Sequence, residues 1–228
     1  MGKVTAWSYS AWALYDLCPL QYKLAKIDKI PQPQAPAMKR GNDLHVAIAA
    51  YISGKAEGLP QEAMQNPVIV KLIQEIKAVD PDYKQVEQQW GFTNQWKPTG
   101  WFAKDTWFRS VLDAGVMYDD MHYEDVDWKT GRRYGKSNSD QMETQALSVM
   151  CKYPPVRHVT TRLAYIDEAG DNPFEFAEFP ATDKLKLAQK WAKKVEPMFA
   201  AEAFPPKPND KCKWCAYSRS KGGQCAFG

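Results

Sequence analysis

The spacing of apolar residues predicts helices in the first third of the chain. Apolar side chains recur there at intervals of three and four residues, which places them on one face of a helix. Ser8 or Ser10 can cap the first helix, and Cys18-Pro19 interrupts it. A Pro-rich linker follows over residues 31–37. The predicted helices run over residues 8–27, 41–53 and 67–79.

Shorter apolar runs bounded by turn residues predict strands in the middle of the chain. Helical spacing then returns over residues 140–152, where Asp140 is the predicted cap, and over residues 183–200. Helices, then consecutive strands, then a helix, a strand and a helix predict an α/β fold with a mixed β-sheet flanked by helices. The predicted strands run over residues 83–92, 108–118, 125–129 and 159–166.

Length and composition predict one domain of 228 residues. Within it we expect an N-terminal helix over residues 1–30, a core over 38–200 and a cysteine-rich tail over 205–228. The chain has no run of about 18 apolar residues and no apolar leader, so we expect a cytoplasmic protein that makes no membrane contact. A net charge of +3 does not by itself indicate nucleic acid as a partner.

The segment VDWKTG, residues 126–131, holds the clearest candidate chemistry. On a strand, Asp127 and Lys129 project from the same face. A hairpin would bring Asp113, in the preceding strand, beside Asp127. Two adjacent carboxylates repel each other unless a divalent cation joins them, and oxygen ligands suit Mg²⁺ or Mn²⁺. The lysine could then orient or deprotonate a water, or stabilise charge developing on a phosphate, so this set suits phosphodiester hydrolysis.

Two other interpretations of this segment compete. The stretch TGRRYGKS looks like a phosphate loop, but only three residues separate Gly131 from Gly135, and that loop needs four. Alternatively, Asp127 and Lys129 form a modest surface ion pair while Asp113 closes a turn. Spacing alone does not decide between the ion pair and the metal site.

Three of the five cysteines lie in the last 17 residues of the chain, and a fourth lies near its N-terminal end. Cys212 and Cys215 have the spacing that lets two thiolates reach one metal from a tight turn. Cys225 follows them, and Cys18 is the natural fourth ligand. This clustering favours a metal over disulfides, and four thiolates suit zinc. Cys151, near the end of a helix, is predicted to be a core residue.

Basic and aromatic residues near the predicted site suggest contact with nucleic acid. Arg132, Arg133 and Lys136 directly follow the lysine segment and can receive phosphates. Trp101 and Trp107 lie among basic residues and either stack on unpaired bases or fill the core. Nothing in this set is suited to reading base sequence.

Five segments, in order along the chain, resemble the RecB-like exonuclease branch of the PD-(D/E)XK nuclease superfamily. They are WSYSAWALYDLCPLQYKL, RGNDLHVAIAAY, VLDAGVMYD, VDWKTG and QMETQALSV. The resemblance covers nearly the whole chain. It implies a restriction-endonuclease-like core and a metal-dependent DNA nuclease.

The resemblance also implies roles for individual residues. Lys129 would serve catalysis, and Gln141 would hold the DNA or orient the lysine. The family pattern has a tyrosine where this chain has Gln145, and Glu87 could supply an outer carboxylate. The implied ligands of Mg²⁺ or Mn²⁺ are His45, Asp113, Asp127 and the backbone carbonyl of Trp128.

The arrangement of cysteines is similar to that of the CRISPR-associated "Cas four" family of iron–sulfur nucleases, with one cysteine before the core and three after it. It implies that a 4Fe–4S cluster joins the tail to the N-terminal helix, with zinc as the alternative. The gap before Cys225 is longer than is usual in that family. The implied cluster ligands are Cys18, Cys212, Cys215 and Cys225.

These inferences predict a DNA exonuclease that acts on single-stranded ends, with protein partners from recombination, repair or CRISPR adaptation. The alternative is a non-catalytic DNA-binding or assembly subunit with a vestigial nuclease site and a zinc or iron–sulfur centre. Retention of Asp113, Asp127 and Lys129 argues against that alternative.

Overall fold

The computed structural model describes residues 4–119, 121–131, 133 and 138–228. The α/β fold with a mixed sheet flanked by helices is confirmed. The helices are α1 (Tyr9–Leu17), α2 (Pro19–Tyr22), α3 (Pro36–Ile52), α4 (Pro67–Ala78), α5 (Ser139–Lys152) and α6 (Lys184–Ala200). The strands are β1 (Lys84–Phe92), β2 (Pro98–Thr99), β3 (Phe108–Met117), β4 (His122–Lys129), β5 (His158–Tyr165) and β6 (Phe174–Pro180).

The six strands form one sheet in the order β2-β1-β3-β4-β5-β6. Only β4 and β5 are parallel among these pairs, and the others are antiparallel. A parallel pair needs a crossover connection, and α5 supplies it between β4 and β5. This crossover places α5 directly over the strand that carries the VDWKTG segment.

Each face of the sheet packs on its own group of helices. On one face Tyr123 of β4 joins a core with Leu147 of α5 and Trp191 of α6. On the other face Trp128 of β4 joins a core with Ile48 of α3. Successive strand residues point to opposite faces, so Asp125, Asp127 and Lys129 lie on the α5 side with Tyr123.

Some predicted boundaries were wrong. Helix α3 begins at Pro36, inside the predicted linker, because proline suits the first helical turn. The cap position of α5 is Asn138, and Asp140 lies in the first turn, where its carboxylate is 2.6 Å from Nζ of Lys194. Strand β4 begins at His122, before the predicted start. The strands β2 and β6 were not predicted.

The irregular tail packs against the N-terminal helices. The backbone N–H of Leu20 donates to the carbonyl of Pro205 at 3.2 Å. Nδ2 of Asn209 donates to the carbonyl of Leu17, and the hydroxyl of Tyr217 donates to the carbonyl of Ile30. In the described ranges, no helix is both long and apolar enough to cross a membrane.

Candidate active site

Strands β3 and β4 part at one end, and Asp113 lies where they separate. The ladder between the two strands ends at the Ala114–Val126 pair. Beyond it, Oδ2 of Asp113 accepts a hydrogen bond from the backbone N–H of Trp128 at 3.0 Å. A carboxylate therefore takes the place of a backbone partner, and the strands open into a fork.

A second carboxylate, Asp127, is held by three side chains. Its Oδ2 lies 2.6 Å from Nζ of Lys129 on the same face of β4. Its Oδ1 accepts from Nε2 of Gln141 at 2.7 Å and from Nε2 of Gln145 at 3.0 Å. Lys129 also donates from Nζ to Oε1 of Gln141 at 2.9 Å. The two glutamines are one helical turn apart, so α5 presents both to β4.

His45, Glu87 and Asp113 form a group suited to a metal ion. Their candidate ligand atoms all lie within 4.8 Å of one another. Nδ1 of His45, on α3, is 3.2 Å from Oδ2 of Asp113. Glu87 has a φ of 51°, a left-handed conformation that costs a non-glycine residue about 1 kcal/mol or more. One imidazole and two carboxylates are a reasonable donor set for a divalent cation.

Burial and mutual repulsion shift the protonation of this site. Burial raises the pKa of Asp127, the Lys129 ammonium opposes that shift, and the Asp113 carboxylate adds to it. Burial also raises the pKa of Glu87, and Asp113 acts in the same direction. Burial alone would lower the pKa of His45, but its hydrogen bond to Asp113 and the nearby carboxylates raise it overall. A divalent cation among these groups would relieve the repulsion.

Asp125 is a further carboxylate on the same face of β4. It is 0% exposed, and within the described residues neither of its oxygens has a hydrogen-bond partner. Burial raises its pKa well above the usual range, and the charge of Asp127 acts in the same direction. It was not among the predicted site residues, although the alternation of Asp125, Asp127 and Lys129 along the strand was a signal for it. Its charge, when present, adds to the negative potential beneath the site.

The cysteines predicted to bind a metal line one small cavity between the N-terminal helices and the tail. Backbone N–H groups of Lys207 and Asn209 donate to cysteine sulfurs at 3.5 and 3.3 Å, as is typical of metal-bound thiolates. No three of the sulfurs, all in described residues, lie within 4.8 Å of one another. Four thiolates around one zinc ion would lie about 3.8 Å apart. The four sulfurs are therefore spread more widely here than around a single zinc ion. The lining cysteines are Cys18, Cys212, Cys215 and Cys225.

A comparison with protein families bears on this geometry. The sequence model described as the PD-(D/E)XK nuclease superfamily matches residues 6–220. The chain belongs to the PD-(D/E)XK nuclease superfamily. Nucleases of this superfamily use divalent metals and act on DNA, and the group of His45, Glu87 and Asp113 is a candidate site for such a metal.

No curated protein matches the chain. One similar solved structure is described as "Crystal structure of SSO0001". The two chains are 13% identical with a TM-score of 0.46, and the alignment covers 95% of this chain and 86% of the other.

The fold of this PD-(D/E)XK nuclease brings together most of the predicted site residues. Their roles in catalysis and metal binding remain predictions, as does the role of the Trp128 carbonyl. Gln145, where the resemblance implies a tyrosine, contacts the predicted ligand Asp127 directly. The residues joined by the contacts above are His45, Asp113, Asp127, Lys129 and Gln141.

The basic residues predicted to contact DNA follow the VDWKTG segment along the chain. Arg132 and Lys136 lie outside the described residues. Arg133 forms an ion pair with Glu168 at 3.2 Å and donates to two backbone carbonyls, so its guanidinium is already engaged. Trp107 stacks on Phe199 and packs against the core, which agrees with the interpretation that it fills the interior.

Proposed function

We propose that this chain is an exonuclease that hydrolyses phosphodiester bonds at single-stranded DNA ends with Mg²⁺ or Mn²⁺. The observation that carries the proposal is the meeting of two side-chain groups at the fork between β3 and β4. Asp113, with His45 and Glu87, forms one group. Asp127, with Lys129 and Gln141, forms the other, and the N–H of Trp128 joins the strands that carry them.

In the proposed mechanism the two groups have different tasks. A bound Mg²⁺ or Mn²⁺ would polarise the scissile phosphate and make a nearby water more acidic. Lys129 donates to the phosphate oxygens on which negative charge develops. Gln141 accepts a hydrogen bond from Nζ of Lys129, and Asp127 forms an ion pair with the same ammonium. Together these two contacts fix the orientation of the Lys129 side chain. The proposed ligands are His45, Asp113, Asp127 and the carbonyl of Trp128, and Glu87, proposed from the sequence as an outer carboxylate, is close enough to His45 and Asp113 to be a further ligand.

We also propose that the four cysteines bind a 4Fe–4S cluster, as in the "Cas four" family among the RecB-like nucleases. Their shared cavity, the N–H donors to two of the sulfurs and their order along the chain support this assignment. The tail from residue 205 is largely irregular. A bound cluster would therefore stabilise it by joining it to α1 and α2.

We propose a preference for single strands because nothing in the given sequence resembles a motor that could open a duplex. Partner proteins from recombination, repair or CRISPR adaptation would supply such ends. The test compares labelled linear single strands, linear duplexes and closed single-stranded circles at one salt concentration, with Mg²⁺, Mn²⁺ or EDTA. We expect metal-dependent shortening of linear single strands. Efficient cutting of circles would show an endonuclease, and cleavage in EDTA would overturn the metal requirement.

A further inference from the structure

A cavity of about 700 Å³ lies beside the fork. One wall is the N-terminal segment, which runs next to β3: the N–H of Trp7 donates to the carbonyl of Trp107, and the N–H of Arg109 donates to the carbonyl of Trp7. Gln141 and Gln145 of α5 also line the cavity. Gln141 contacts both Asp127 and Lys129, so one side chain of the cavity lining touches the proposed catalytic groups. The volume of the cavity is in the range of sites that enclose drug-sized ligands.

The lining of this cavity carries positive charge only. Lys26, Lys29 and Arg109 line it, and no aspartate or glutamate does among the residues that the structure describes. Within the same ranges, Lys26 and Lys29 have no carboxylate partner, unlike the neighbouring Lys23, which pairs with Asp28. Both lysines are exposed at the mouth of the cavity, and a surface of one sign of charge attracts an anionic ligand.

Two buried polar atoms on the lining residues also lack partners in the described structure. Nε1 of Trp7 is a donor and Oε1 of Gln145 is an acceptor, and neither has a hydrogen bond. Trp7 is 1% exposed and Gln145 is 4% exposed. Buried polar groups are usually satisfied, but both of these atoms are closed to solvent, so a ligand in the cavity would reach them only after the two side chains turn.

Trp101 adds an aromatic surface to the same lining. Its carbonyl accepts from Nε of Arg109 at 3.0 Å, and the Arg109 guanidinium lies 5.5 Å from the centre of its ring. Arginine and a half-exposed indole side by side can receive a phosphate and an unpaired base together. In a duplex the bases are already stacked and are not free for this contact.

We propose that this cavity binds a segment of single-stranded DNA next to the scissile bond. Phosphates of the strand contact Lys26, Lys29 and Arg109, and one base stacks on Trp101. This inference rests on the proposed function and deepens it, because it assigns the strand's path to residues from the N-terminal segment and the start of β3.

The first experiment measures the salt dependence of binding. An end-labelled oligothymidylate is titrated in EDTA, where it is not cut, with the wild-type protein and with a Lys26→Gln/Lys29→Gln variant. Each lost phosphate contact on a single strand should reduce the slope of log K against log salt by about 0.7, so the double variant should lose about 1.4. The matched control is Lys55→Gln/Lys186→Gln, whose exposed lysines lie outside the cavity. Equal slopes for the two double variants would overturn the proposal.

The second experiment tests stacking. Trp101→Ala should weaken binding of the oligothymidylate by about fivefold or more, and Trp101→Phe should restore much of the affinity. On a strand with abasic sites the effect of Trp101→Ala should disappear. An equal loss of affinity on the abasic strand would overturn the stacking contact, because it would show that Trp101 supports the protein structure and does not contact a base. Cleavage by the wild-type protein in Mn²⁺ tests the proposed function separately, so either idea can fail while the other stands.

Discussion

The side-chain amide of Gln145 donates to Oδ1 of Asp127 across 3.0 Å, and Gln141 donates to the same oxygen at 2.7 Å. Hydrogen bonds to a carboxylate favour its charged form, whereas burial raises the pKa of Asp127. The two amides therefore help to keep a buried acid ionised and correctly oriented. The resemblance implies a tyrosine where this chain has Gln145, so an amide performs this contact here.

We predict that Gln145→Met reduces nuclease activity by about 10- to 100-fold, the usual effect of losing a partner of a metal-binding group. The loss should be smaller at high Mn²⁺, because a poorly oriented Asp127 binds the cation more weakly. The measurement is cleavage rate against Mn²⁺ concentration. Gln189→Met, on the exposed face of α6, is the control and should behave as wild type. A Gln145→Met variant with an unchanged Mn²⁺ requirement would contradict the prediction.

A second prediction concerns the catalytic groups themselves. Asp113→Asn, Asp127→Asn and Lys129→Met should each remove most activity, with about a 10²- to 10³-fold loss for the lysine. Asp127→Asn should unfold at the same or a higher denaturant concentration than wild type, because burial disfavours the charge that it removes. Cleavage assays and urea denaturation check both points. Undiminished cleavage by a folded Asp127→Asn variant would contradict the assignment of the active site.

The sequence predicted β3 and α5 close to their observed bounds, but it identified β4 only from residue 125 although the strand begins at His122, because acidic residues interrupt its apolar pattern. It also predicted that Asp113 and Asp127 come together, since a hairpin between the two strands requires it. It failed on β6, Phe174–Pro180, which is the edge strand opposite β2 and has mostly exposed or half-buried residues. A strand of this kind lacks the buried apolar run that identifies a central one.

The contact between Asp127 and Gln145 depends on how α5 crosses the sheet, which local spacing does not determine. The cavity beside the fork also depends on how distant segments of the chain pack together, which local spacing does not determine. Lys26 and Lys29 are far in sequence from Arg109, and only the packing of the N-terminal segment along β3 brings them to one lining. Proximity to the motif in sequence selects Arg132, Arg133 and Lys136 instead, and their contact with DNA stays a prediction.

A third prediction tests the cysteine centre. Anaerobically purified protein should be brown and contain iron and sulfide, and Cys18→Ser should lose the colour and unfold more easily, because the tail is no longer joined to α1 and α2. The control is Cys151→Ala. Cys151 is buried in the core with a thiol pKa raised by burial to about 11, so its loss should leave the colour unchanged. Colourless wild-type protein with stoichiometric zinc would contradict the iron–sulfur assignment.

A fourth prediction concerns Asp167, which accepts hydrogen bonds from Arg40 and from Gly131 at the end of the VDWKTG segment. The Arg40 guanidinium donates to both oxygens of Asp167 at 2.8 and 2.7 Å, and the N–H of Gly131 donates to Oδ2 at 2.7 Å. The hydrogen bond from Arg40 lowers the pKa of Asp167, burial opposes this, and the Gly131 N–H adds to the lowering. The folded-state pKa therefore lies below the unfolded value of about 3.9.

A depressed carboxyl pKa contributes stability above the unfolded pKa, and that contribution is lost as the pH falls through the folded pKa. Asp167→Asn should therefore lower the free energy of unfolding at neutral pH by up to about 1 kcal/mol, a small value because the pair is partly exposed to solvent. The difference should shrink below about pH 4 and vanish below the folded pKa. Urea denaturation across this range is the measurement.

Glu62→Gln is the matched control, because Glu62 contacts the same Arg40 from a more exposed position and should have a smaller effect. A stability difference for Asp167→Asn that stays constant from neutral to acidic pH would contradict the prediction, because it would show that the charge of Asp167 does not contribute to the free energy of unfolding.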